Sequence, residues 1–328
     1  MTSIRCLEPR FVSALTLCRG LCVLLVGVLS VAYPVFSQAQ QNSLRLGGAV
    51  QRERVEVVTD MLRVMFDKEG GSVVRSEFLK TPINVDLPSK LVLLDDSRDR
   101  VYLAQSGLIG TVNGAFPNHK TPMTFSGDRV MKDGVAELVV KFESPVVGGV
   151  KLIKSYTFHR GSYVVDVKHV ALNVSTTPLT PLLYLQLVRD GNQEAPDQRS
   201  NYATFTGPAI YTATKKYQRV EFRDIETGHV SIDSSSPYGY VAMVQHFFAS
   251  AWLLGDGVVR ENFVRKVANN LYSVGMITKL KEIAPGVATT AEARLFIGPR
   301  VESVTTPLQL EAMQDDGWLL NSLQKLNR

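Results

Sequence analysis

The stretch from Ala136 to Leu172 constrains the fold more than any other, because its apolar residues recur in twos. In Ala136–Phe142, Ala136, Leu138, Val140 and Phe142 fall on one side, with Glu137 and Lys141 on the other. Tyr156 and Phe158 share a face in Val150–His159, as do Val165 and Val167 in Tyr163–Leu172. A period of two marks a half-buried β-strand, since successive side chains point to opposite faces. Arg160-Gly161-Ser162 predicts a tight hairpin between the last two segments, with Gly161 at positive φ. Further strands are expected at Val55–Val58, Leu62–Phe66, Val73–Phe78, Leu91–Leu94, Leu182–Val188, Val220–Ile225 and Leu271–Thr278. Many short strands without intervening helical patterns predict a mainly β protein, a sandwich, and disfavour a parallel α/β sheet.

Two segments read differently. Tyr240–Leu254 (YVAMVQHFFASAWLL) is almost wholly apolar. Periodicity cannot separate a buried strand pair from a core helix there, and the run is too short to cross a bilayer. From Pro307 to Leu326 the stripe of Leu308, Met313, Leu319, Leu320, Leu323 and Leu326 predicts an amphipathic helix, weakened by Gly317. Such a helix could pack on the sandwich or lie on a membrane surface.

The chain is long enough for one large domain with its own core, and at 45% hydrophobic residues it has ample apolar surface to bury. Its three cysteines, Cys6, Cys18 and Cys22, all lie at the N-terminus. The body therefore has no disulfide, thiolate metal site or cysteine nucleophile. Arg5, Arg10 and Arg19 precede an uncharged run, Leu21–Phe36, with Ser37 and Ala39 at the small positions of a cleavage site. As helix those sixteen residues would span about 24 Å, short of the roughly 30 Å hydrocarbon core. Residues 1–39 are thus expected to be a signal peptide or an uncleaved membrane anchor. Residues 40–54 follow as a polar linker, 55–306 as the sandwich and 307–328 as a helical tail towards the membrane. Formal net charge is +5, of which residues 1–39 carry +2. The remainder is too weakly basic, and too free of Lys/Arg clusters, for nucleic acid to be a partner.

The motifs of common chemistries are missing. The sequence holds no phosphate loop, no Gly-x-Gly-x-x-Gly and no Gly-x-Ser-x-Gly elbow. His119, His159, His169, His229 and His246 never fall in a zinc spacing. His159 and His169, on alternating strands, read as solvated or hydrogen-bonded strand histidines, and His246 as a core residue. Asp95-Asp96 and Asp315-Asp316 are sequence neighbours, which point apart and make no acid/base couple. Asn173-Val174-Ser175 matches a glycosylation sequon, a pattern that often arises by chance.

Several segments taken in order nonetheless resemble the large periplasmic domain of the YidC family of bacterial membrane protein insertases. They are Phe66–Val73 (FDKEGGSV), Tyr102–Leu108 (YLAQSGL), Lys154–Tyr163 (KSYTFHRGSY), and Phe205–Ile225 with its Gly207, Ala209, Tyr211, Lys216-Tyr217 and Phe222. Gly239–Leu253 (GYVAMVQHFFASAWL), Leu295–Pro299 (LFIGP) and Gly317-Trp318 complete the series. The resemblance implies a β-supersandwich, an elaborated mutarotase-like pair of large antiparallel sheets with a C-terminal amphipathic helix. It also implies residence at the bacterial inner membrane, with the main domain in the periplasm and an anchor before it. The implied role is accessory: binding the secretion machinery or nascent membrane proteins, without enzymatic activity or cofactor. The family's working part is a bundle of membrane helices around a water-filled groove holding an arginine, and no residue here corresponds to it. No catalytic, cofactor-binding or metal residue is therefore assigned. Two other roles fit a sandwich: a periplasmic chaperone, and a carbohydrate binder or mutarotase-like enzyme. The last needs an acid and a base, for which His159, His169, Glu221 and Glu226 are the scattered candidates. It also needs exposed aromatics, whereas Trp252 sits in apparent core.

Overall fold

The computed structural model describes residues 53–80, 91–110, 115–192, 205–308 and 310. All of them belong to one compact unit, Arg52–Arg328. Among them eighteen strands, numbered in chain order, form two nine-stranded sheets. The first sheet runs β1 (Arg54–Val58), β2 (Leu62–Asp67), β3 (Ser72–Phe78), β4 (Leu91–Asp96), β5 (Val101–Ile109), β10 (Leu182–Asp190), β17 (Leu271–Lys279), β16 (Arg260–Ala268), β13 (Ser235–Ser236). The second runs β12 (Lys216–Arg219), β11 (Gly207–Thr212), β14 (Tyr240–Val244), β15 (Phe248–Leu254), β18 (Ala288–Pro299), β9 (Val164–Asn173), β8 (Val150–His159), β7 (Glu137–Glu143), β6 (Thr124–Gly127). The ladders between neighbouring strands are antiparallel throughout. The two large sheets expected from the sequence are present.

Two side chains stitch the sheets and define which face of each looks inward. The Tyr102 hydroxyl of β5 donates to Met243 O at 3.0 Å and lies 2.7 Å from Ser250 Oγ. Trp252 of β15 donates from Nε1 to Gln186 O of β10 at 3.1 Å, which satisfies its one polar atom inside the core. Around them one cluster joins both sheets, with Phe66 packed on Phe142 and Tyr156 at centroid distances of 5.0 and 4.8 Å.

The alternating segments fold as read. β7, β8 and β9 bury every second residue, and Gly161 turns between β8 and β9 with φ +74 in open space. Tyr240–Leu254 resolves into the β14–β15 hairpin, both strands of which are buried along their whole length. One strand reading is corrected: within Val220–Ile225 a short helix begins, α1 (Phe222–Thr227). Phe222 and Ile225, three apart on one helix face, pack together with Val220 against Tyr272 of β17, where the Phe222 ring stacks at 4.7 Å. Gly228 then ends the helix in the left-handed region at φ 72, its N–H satisfied by the last carbonyls. The sequon Asn173 is fully buried and donates to Thr177 O and Ile283 O, both at 2.8 Å, so it braces a turn.

After β18 the chain makes α2 (Glu302–Thr305) and a 3₁₀ turn, Thr306–Leu308. The rest of the expected C-terminal helix lies outside the described residues, as do the N-terminal segment and nearly all of the 40–54 linker. No helix among the described residues is long and apolar enough to cross a membrane.

Candidate functional site

Three of the segments that carry the family resemblance meet between the sheets. Gly70 and Gly71 turn the chain from β2 to β3 at φ +75 and +58. A Cβ on Gly70 would come within 2.4 Å of His119 Cα, and one on Gly71 within 2.8 Å of the Phe142 ring, so only glycines fit this wedge. Its carbonyls face β8. The fully buried Lys154 donates from Nζ to Gly70 O and to Ser106 O, each at 2.6 Å, and the Tyr156 hydroxyl donates to Gly71 O at 2.6 Å. His169, opposite Lys154 in the β8–β9 register, places Nε2 2.9 Å from Ser106 Oγ.

This node has unusual electrostatics. Burial pushes the Lys154 ammonium down to about 7, because a charge taken from water costs more than neutral hydrogen bonds return. Burial, and next the Lys154 charge, push His169 down to about 3, so its imidazole is neutral near pH 7. His119, on the loop outside the Gly70 turn, is lowered to about 4 by burial, then by Lys154, Lys120 and Arg265; its Nδ1 lies 2.5 Å from the Tyr184 hydroxyl. A lysine poised near neutrality is the chemistry of a nucleophile, but Lys154 is wholly enclosed and engaged with main-chain carbonyls. Its geometry is that of a staple between the two sheets.

The scattered acid/base candidates do not assemble. His169 lies in the node, whereas His159 is on the outer face of β8, between Asp166 (Nε2 to Oδ2, 2.7 Å) and Glu137 (Nδ1 to Oε1, 3.3 Å). Glu221 is the exposed N-cap residue of α1, without a capping bond from its side chain. Glu226, in the same helix, accepts from Lys266 Nζ at 2.7 Å and the Tyr272 hydroxyl at 2.6 Å. His246 sits partly exposed at the tip of the β14–β15 hairpin, its ring 3.8 Å from that of Phe247, and is not a core residue. Trp252 is buried as expected. Asp95 pairs with Arg75 at 2.6 Å and Asp96 with Arg54 at 2.5 Å, while Asp315-Asp316 lies outside the described residues. The described residues hold no cluster of three or more potential metal ligands. Reading by motif passed over Lys154 and Ser106. The available signal was parity, for Lys154 falls on the same side of β8 as Leu152, Tyr156 and Phe158.

Residues 54–325 match the YidC periplasmic domain. The chain is 41% identical over 275 residues to the membrane protein insertase YidC of Bordetella petrii, covering 83% of this chain and 48% of that protein. It is 42% identical over 269 residues to the insertase of the same name from Cupriavidus necator, covering 81% and 47%. The chain thus spans about half the length of the curated relatives it matches. Among solved structures it is similar to a galactose mutarotase-like protein from Lactobacillus casei, at 8% identity and a TM-score of 0.46, covering 75% of this chain and 100% of that one. By the match over residues 54–325 and the identity with these relatives, this chain belongs to the family of YidC periplasmic domains.

Proposed function

We propose that this domain serves a membrane protein insertase of the bacterial inner membrane as its periplasmic binding module. It would hold segments of nascent membrane proteins, or components of the secretion machinery, at the outer surface of the membrane. The observation that carries this reading is the match over residues 54–325, joined to about 40% identity with proteins named as insertases. In this reading the buried Lys154–Ser106–His169 node keeps the two sheets in fixed relation, so that the outer faces form a rigid surface.

The test is site-specific photo-crosslinking from exposed positions of the full chain in cells synthesising an inner-membrane protein. Crosslinks to that client or to translocon subunits, above those from a soluble periplasmic control, are expected. Crosslinks no more frequent than the control would overturn the proposal.

A further inference from the structure

The outer face of the first sheet, turned away from the second, can be read row by row from the strand register. Gln186 lies between Gln105 and Gly275, and Gly275 lies beside Phe263. In the next row Val188 lies between Leu103 and Ser273, and Ser273 beside Arg265. Gly275 leaves a gap that the aromatic ring occupies: a Cβ there would meet Phe263 Cζ at 2.4 Å and Gln186 Cβ at 2.9 Å. Over that ring lies the Arg265 guanidinium, its carbon 4.5 Å from the centroid. Arg265 Nη2 reaches Gln186 Oε1 at 3.4 Å, and Gln186 Nε2 donates to Gln105 Oε1 at 2.9 Å. Gln186 is only 4% exposed, so the amide that braces the arginine is itself held by packing.

Arg265 is exposed and makes no ion pair among the described residues. Glu261, on the same face of β16, is four residues away, about 13 Å along the strand. The charged groups that act on neighbouring His119 are Lys154, Lys120 and Arg265, all cationic. A guanidinium spread on an aromatic ring and steadied by an amide is already ordered, so little entropy is lost when it takes up a carboxylate. Beside it Leu103, Val188 and Val74 are themselves buried, so the accessible apolar rim is formed by the partly exposed Met65, Val101 and Leu271.

We propose that this face binds a polypeptide segment through an acidic side chain seated on Arg265, with Phe263 beneath it and the partly exposed Gln105 beside the bound main chain. The proposal rests on the polypeptide-binding reading above and names the site and the partner's chemistry. It is tested by fluorescence anisotropy of the full chain with a labelled peptide carrying Glu and Asp among leucines, against the same peptide with Gln and Asn. The acidic peptide should bind about tenfold more tightly, the usual scale of one charge-assisted bidentate contact. Arg265→Met should abolish the difference, and Arg265→Lys, which keeps the charge but loses the fork, should retain only part of it. Arg265 is exposed, so coincident thermal melts are expected for both variants; Phe263→Leu, which removes the platform but not the charge, should also weaken the acidic peptide. Equal binding of both peptides, or undiminished binding by Arg265→Met, would overturn the site. Displacement of the peptide by inorganic phosphate at comparable concentration would reduce it to a general anion site and overturn the polypeptide assignment. If Arg265→Met still crosslinks to clients, the module reading stands and this site alone fails; if neither peptides nor clients bind, both fail.

Discussion

Along β7, β8 and β9 the outward side chains include Glu137, Val139, Lys141, Thr157, Asp166 and Lys168, whereas along β14 and β15 they are Tyr240, Ala242, Val244, Ala249, Ala251 and Leu253. The second group, in the same sheet, is never more than 5% exposed. The change falls across β18, where one row of the register reads Thr157, Asp166, Arg294, Leu253, Tyr240. Beyond β18 the chain folds back on the hairpin tip: Arg300 donates to Gln245 O and His246 O, its amide donates to Phe247 O, and Leu310 is fully buried. An antiparallel sheet thus needs no single character, because each half takes the pattern that its own second face requires.

The widest break in this comparison comes from a charge on each half. Ala251→Asp puts a carboxylate where nothing is exposed or paired, and should cost at least about 4 kcal/mol or prevent folding. Val139→Glu, on a residue 40% exposed, should stay within about 0.5 kcal/mol. Urea titration of both variants measures the contrast. Similar losses for the two would mean that the halves are not differently covered.

The same contrast governs how much of the fold is legible in the sequence. Where one face is wet, alternation marks strand and orientation together, and β7 to β9 with the Gly161 turn follow directly. Where both faces are dry, alternation vanishes, so Tyr240–Leu254 reads equally as a helix or a strand pair until Gln245–Phe247 is seen to turn. Val220–Ile225 misleads because its apolar residues fit both a strand and one turn of helix, and Tyr272 with Gly228 decides between them. The node was half legible: parity places Lys154 and His169 inward, but only the fold brings the Gly70 and Ser106 carbonyls to Lys154. Arg265 is invisible beforehand, since its meaning lies in Gly275 and Gln186, which are remote in sequence.

The open half differs within as well, holding Lys154 and His169 where the covered half holds Val241, Met243 and Trp252. Its stability should therefore depend on pH. Lys154 is lowered in the fold to about 7 from an unfolded value of 10.5, so between those values the unfolded chain binds more protons. Stability should rise with pH across that window, by up to about 5 kcal/mol from this group, and be lost as pH falls from 10.5 to 7. His169, lowered from 6.5 to about 3, adds stability that is present above 6.5 and lost on acidification towards 3. Lys154→Met should flatten the upper window and His169→Gln the lower, read as the difference from the parent in denaturation at several pH values. Parallel profiles for parent and variant would show that neither group titrates differently on folding.

The gentlest contrast compares two glycines with positive φ. Gly161 turns the open half in empty space, so an alanine there meets only the backbone preference against φ +74, roughly 1 kcal/mol. Gly239 enters β14 at φ +108, and a Cβ would sit 1.8 Å from Tyr211 O, against the main chain of the neighbouring strand. Gly239→Ala must push β11 from β14 and should cost about 3 kcal/mol, two or more beyond Gly161→Ala. Thermal denaturation of the pair separates conformational preference from close approach. Equal losses would mean that β11 yields freely, and the covered half would then be less tightly packed than its burial implies.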